Sequence, residues 1–167
     1  MGMRVLGIDP GSRRTGWGVV ELEGTRLQHI AAGTIAVPAK WALPARLRSI
    51  HEELRLVIGA HQPAVIAVEE IFFAKHANAA LKLGHARGIA LLAAAQAELA
   101  VHEYPPAIVK RTVVGRGQAS KEQVAHLVGA LLGIRAKLDV DATDALAVAI
   151  THIQADRSRA QTGTSVQ

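Results

Sequence analysis

Apolar residues in this chain run in short blocks near the N-terminus and switch to helical spacing after about residue 40. Met3 to Ile8 predicts a buried strand, and Pro10-Gly11 then forces a turn. Thr15 to Leu22 is a second strand. Glu23-Gly24-Thr25 reads as a hairpin connection into a third, Arg26 to Val37. Leu43, Leu47, Ile50, Leu54, Val57 and Ile58 recur at the helical period, with Pro44 suited to a first turn. Gln62-Pro63 ends that helix, because the residue before proline avoids the α region. Ala64 to Val68 predicts a fully buried strand, Asn78 to Leu99 a long helix and Val101 to Tyr104 a short strand. Pro105-Pro106 opens a short helix, and Gly115-Arg116-Gly117-Gln118 is a loop. Ser120 with Gln123 forms a capping box for a helix ending near Gly133. The last helix runs from Asp141 to about Ala155, and the polar tail from Asp156 to Gln167 is expected to fray.

The order βββ-α-β-α-β-α-α-α predicts an α/β fold, a mixed five-stranded sheet with helices on both faces. The first and fourth strands are apolar on both faces, which places them centrally. No repeat and no linker divides the chain, so residues 1–155 read as a single domain.

Four acids interrupt this apolar pattern. Asp9 ends the first strand, Glu69 ends the fourth, and Asp141 and Asp144 open the last helix. A carboxylate beside core elements costs several kcal/mol (roughly, by desolvation) unless it is paired or bound to metal. Ligands of open α/β sheets bind at the C-terminal strand ends, where Asp9 and Glu69 both fall. Three segments delivering carboxylates to element ends point to a hard cation such as Mg²⁺, which takes oxygen ligands and often a substrate phosphate.

Each acid also has a purely structural reading. Asp-Pro-Gly is a common turn in which Asp9 caps Gly11 or Ser12. Asp141 and Asp144 share one helix face and can form a capping pair favoured by the helix dipole. Successive strand side chains alternate, so only one of Glu69 and Glu70 can join Asp9; Glu69 continues the face of Val65 and Ala67, but alternation alone does not choose between the two. Asp139 reads as a loop residue.

Composition adds a charge argument. Across 167 residues there are 19 Lys and Arg against 14 Asp and Glu. With the four acids sequestered, 19 basic residues face the remaining ten, a surface suited to a phosphodiester substrate. Arg13 and Arg14 follow the Asp9 turn, where they can meet a phosphate. Lys110, Arg111, Arg116 and Lys121 cluster beside the glycine-bounded loop, as a phosphate-tracking patch or a solvated helix face. Phe72 and Phe73 follow the acidic pair, and one of them can stack on an unpaired base. The absence of cysteine excludes disulfides and Cys-ligated zinc. No signal-peptide pattern and no membrane-length apolar run occurs, which leads us to expect a cytoplasmic protein with no membrane association.

Gly7-Ile8-Asp9-Pro10-Gly11-Ser12 with Thr15-Gly16-Trp17-Gly18-Val19 resembles the opening of the bacterial RuvC endonucleases. Ala67-Val68-Glu69-Glu70-Ile71-Phe72, residues 80–88, Val109 to Gly115 and Asp141 to His152 follow in the same order, so the resemblance spans residues 3–153. It implies an RNase H-like nuclease domain that resolves four-way Holliday junctions by paired symmetric nicks, leaving 5′-phosphate and 3′-hydroxyl ends. It also implies a homodimer, Mg²⁺ or Mn²⁺, and cooperation with the RuvA–RuvB branch-migration complex; two-metal phosphodiester hydrolysis, at two ions per site, is the mechanism we expect of the four carboxylates. By position, Asp9, Glu69, Asp141 and Asp144 match the family's catalytic carboxylates. Phe72 matches an aromatic that contacts unpaired junction bases, and Lys110 and Lys121 match basic residues near the scissile phosphate, with Lys121 as a catalytic charge.

Three rivals fit parts of the pattern: an RNase H-like nuclease of RNA–DNA hybrids or ribosomal RNA precursors, an actin-like kinase or ATPase and a catalytically dead junction-binding scaffold. The ATPase shares a Gly-Ile-Asp-x-Gly opening but needs a second domain and a second phosphate loop. The complete set of four acids argues against the scaffold.

Overall fold

The computed structural model describes residues 2–70 and 76–163. Five strands form one sheet: β1 (Met3–Asp9), β2 (Arg14–Glu23), β3 (Arg26–Ala36), β4 (Val65–Glu69) and β5 (Val101–Tyr104), in the spatial order β3-β2-β1-β4-β5. β1 to β3 are antiparallel neighbours, whereas β4 lies parallel to β1 and β5 parallel to β4. The mixed sheet read from the sequence is therefore present, with β1 at its centre. Among the described residues there are five helices: α1 (Leu43–His61), α2 (Ala77–Gln96), α3 (Pro106–Val114), α4 (Lys121–Leu132) and α5 (Val140–Gly163).

Strand alternation divides the core into two layers. Leu6, Ile8, Val19, Ile66 and Val68 point to one face and pack against Ile50 and Leu54 of α1 and Ala90, Ala93 and Ala94 of α2. Val5, Val20, Val65 and Ala67 point to the other, against Leu146, Ile150 and Ile153 of α5, with α3 and α4 closing the layer. Helices thus cover both faces. Leu6, Ile66 and Leu146 are wholly buried, each a gain of roughly 1.5–3 kcal/mol.

α5 lies closer to the sheet than ordinary side chains permit. A Cβ at Gly7 would stand 1.9 Å from the Ala145 carbonyl oxygen, and one at Gly16 would stand 1.9 Å from that of Asp141. These two positions, bare of side chains, let the first turns of α5 rest on the backbone of β1 and β2.

Two boundaries differ from the sequence reading. α2 stops at Gln96, because Ala97 caps it and Glu98 takes a positive φ of 56°. The tail expected to fray from Asp156 instead continues α5 to Gly163. No proline interrupts it, and Ser158 and Thr162 hydroxyls donate back to the Gln154 and Ser158 carbonyls. Lack of an apolar period does not stop a helix already nucleated by its buried half.

Candidate active site

The β1–β2 turn is tied by Thr15, whose Oγ1 donates to the Gly11 carbonyl at 2.8 Å and accepts from the Gly11 amide at 3.2 Å. The capping work once open to Asp9 is therefore done by another residue. Arg46 of α1, only 8% exposed, braces the same turn by donating to the Ser12 carbonyl.

Val5 pairs with Val65 and Gly7 with Ala67. Continuing by two residues, Asp9 and Glu69 fall side by side on the α5 face, while alternation sends Glu70 to the opposite one. Asp144, three residues into the cover of α5 beyond Asp141, completes a cleft of about 240 Å³ lined by Asp9, Glu69, Asp144, Lys110 and Lys121 over apolar walls that include Val109 and Val124.

The electrostatics of this cleft are those of acids forced together. Asp9 is pushed from 3.8 up to about 8, first by burial, then by the charges of Glu69 and Asp144, by a hydrogen bond to Glu69 and by Asp141. Glu69 is also raised, by burial and then by Asp144, while the Asp9 hydrogen bond, Lys110 and Lys121 oppose the shift. Asp144 is raised by burial, with Lys121 the main opposing charge. A proton held between Asp9 and Glu69, donated by Asp9, relieves their repulsion. A hard divalent cation relieves the same repulsion without the proton, and an all-carboxylate donor set suits Mg²⁺ or Mn²⁺.

Asp141 stands apart from the other three. It does not line the cleft; its Oδ2 accepts from Arg14 Nε at 2.7 Å, and the same guanidinium pairs with Asp139. It lies near enough to raise both Asp9 and Asp144. Among the described residues no group of three or more His, Cys, Asp or Glu side chains is already arranged around a metal position. The capping reading of Asp141 also changes: α5 begins at Val140, and the Asp139 carbonyl receives the Thr143 amide and hydroxyl, so Asp141 sits inside the first turn.

Of the basic residues singled out in the sequence, Lys110 and Lys121 line the cleft. Arg13, Arg111 and Arg116 are exposed outside it. Arg14 is engaged with carboxylates rather than held open toward a phosphate. Phe72 and Phe73 lie outside the described residues. The Arg14 link was missed in the sequence, yet its signal was there: Arg14, Gly16, Gly18 and Val20 alternate onto the α5 face.

A family model described as "Crossover junction endodeoxyribonuclease RuvC" matches residues 5–152. A crossover junction endodeoxyribonuclease RuvC of Sorangium cellulosum is 54% identical over 153 residues, covering 92% of this chain and 86% of that protein. A T. thermophilus RuvC solved in complex with a Holliday junction substrate superposes with a TM-score of 0.89 at 35% identity, covering 93% of this chain and 96% of the other. The yeast mitochondrial Holliday junction resolvase Ydc2 shares the fold at 14% identity, with a TM-score of 0.68 and coverage of 98% and 85%.

Proposed function

The chain belongs to the RuvC family of crossover junction endodeoxyribonucleases, metal-dependent nucleases of RNase H-like fold, and from that premise we propose that Asp9, Glu69, Asp141 and Asp144 form its catalytic centre for resolving four-way Holliday junctions. The observation that carries this reading is the convergence of Asp9, Glu69 and Asp144, from three separate elements, in one cleft with Lys110 and Lys121.

Asp9 sits on the central strand and interacts with Glu69, Asp144 and Asp141, so it would hold metal together with each of them. Glu69 and Asp144 flank it, and Asp141 joins once released by Arg14. Two Mg²⁺ or Mn²⁺ ions held by these groups would supply an activated water and a charge partner for the leaving 3′ oxygen. Lys110 and Lys121 draw the phosphate into an otherwise anionic cleft. Lys121 also faces the negative charge that grows on the phosphoryl oxygens during in-line attack. The products are nicks with 5′-phosphate and 3′-hydroxyl ends.

A four-way junction has two-fold symmetry, which a homodimer matches. α2 offers the surface: Ala86, Ala90, Ala93 and Ala94 are buried, while Leu81 at 62% and Leu92 at 47% exposure face outward. Sedimentation of the wild type as a monomer at micromolar concentration would remove this interface. Cooperation with RuvA–RuvB is proposed on family membership alone. A cytoplasmic location follows from the DNA substrate, and no helix among the described residues is long and apolar enough to cross a membrane.

The decisive assay offers a synthetic four-way junction, a homoduplex and an RNA–DNA hybrid, each with Mg²⁺, Mn²⁺ or EDTA. Metal-dependent, symmetric nicking of the junction alone is expected. Cleavage of the hybrid in preference to the junction would replace the reading with the rival nuclease class.

A further inference from the structure

A second groove, about 820 Å³, adjoins the catalytic cleft and is continuous with it, because Lys121 and Asp144 line both. It runs between α4, the connection at residues 133–139 and the first turn of α5. Its floor is apolar: Ile134, Leu138 and Val140 line it, and Val140 is 52% exposed, a large hydrophobic side chain left to solvent at the start of a helix. Above that floor stand Arg135 and Lys137, both exposed.

Charge tells what the groove fits. Arg4, Arg14, Arg48 and Arg87 each pair with a carboxylate, whereas Arg135 and Lys137 make no ion pair among the described residues. Unneutralised cations over an apolar floor match a polyanion that also carries flat apolar faces, which is a nucleic-acid strand. Two acids, Glu122 and Asp144, also line the groove, against three cations, Lys121, Arg135 and Lys137, so its lining stays net positive.

We propose that this groove seats the cleaved strand immediately beside the scissile phosphate, with its backbone on Arg135 and Lys137 and a base against Ile134, Leu138 and Val140. The inference rests on the nuclease reading of the adjoining cleft and extends it from the bond that is cut to the nucleotides that flank it. None of these residues belongs to the proposed catalytic set, so they govern how the strand is held rather than the chemistry.

Two variants of the full chain separate the possibilities: Arg135→Ala/Lys137→Ala removes the charge, and Ala136→Trp fills the groove at an exposed lining position without altering charge. Junction affinity is titrated in EDTA across a salt series, and single-turnover cleavage is followed in Mg²⁺. The double variant is expected to lose roughly tenfold or more in affinity, with a salt slope shallower by about two. Ala136→Trp is expected to weaken binding at an unchanged salt slope, with an unchanged melting temperature. Wild-type affinity and cleavage in both variants would overturn the proposal. So would loss in the double variant alone, which is long-range attraction without a seat, or a changed sedimentation coefficient, which marks a contact between copies. Binding in EDTA reads the groove even if the wild type cuts nothing, so failure here and failure of the nuclease reading are distinguishable.

Discussion

Arg14, the first residue of β2, donates through Nε to the carboxylate of Asp141 in the first turn of α5, at 2.7 Å. The bond joins the sheet to the helix that covers it. It also holds the fourth acid at the rim of the cleft while Asp9, Glu69 and Asp144 gather inside. A cation recruiting Asp141 competes with this guanidinium.

Arg14→Gln should therefore lower the Mg²⁺ concentration needed for half-maximal cleavage, by roughly two- to fivefold, the scale of an exposed ion pair. A metal titration of single-turnover rates reads this directly. A higher Mg²⁺ requirement would mean that Arg14 presents Asp141 to the site instead of withholding it.

The Asp9 shift makes stability depend on pH. Its folded pKa is raised to about 8 from 3.8, so the native protein keeps a proton that the unfolded chain has released across that window. The native state binds more protons, and stability must fall as pH rises from about 4 to about 8. The melting temperature in EDTA should drop between pH 5 and pH 8, and Mg²⁺ should restore it at pH 8 by binding only the folded form. Asp9→Asn should flatten the pH slope and abolish cleavage while leaving junction binding intact. Near wild-type cutting by that variant in Mg²⁺ would end the carboxylate assignment.

Lys121 opposes the upward shift of both Glu69 and Asp144. Lys121→Ala removes that opposition, so both acids hold their protons to higher pH. The acid limb of the pH–rate profile should move upward and the maximal rate should fall. Lys121→Arg should restore the limb more than the rate, because charge returns without the lysine geometry. An unmoved limb in Lys121→Ala would separate this residue from the acids.

Gly16→Ala tests the close approach of α5. The added methyl meets the Asp141 carbonyl oxygen, which belongs to helix backbone and cannot rotate aside. A loss of about 1–3 kcal/mol in urea unfolding is expected. Cleavage should fall further than stability alone explains, since Asp141 and Asp144 shift with the helix. Wild-type rates in folded Gly16→Ala would show that the site tolerates displacement of α5.

Much of this molecule was legible before any coordinate. Strand alternation and helical period are local properties of the chain, so they assign each side chain a face: Val65, Ala67 and Glu69 to one side, Ile66 and Val68 to the other. Asp9 and Glu69 could be placed at one sheet edge because each ends a central strand, whereas the choice of Glu69 over Glu70 came from the family resemblance and not from alternation. The continuation of α5 past Asp156 was not legible, because helix persistence there depends on a nucleus buried some residues earlier.

By itself, then, the sequence determined which elements form, which faces they bury and which four acids stand at element ends. Only the tertiary structure decided that three of those acids share a cleft while the fourth is held by Arg14, and that cations with no ion pair among the described residues border a groove beside it. The reason is one of range. Periodicity acts between neighbours in the chain, whereas a carboxylate's partner is set by how closely α5 can settle on Gly7 and Gly16, a distance fixed by packing across more than a hundred residues of separation.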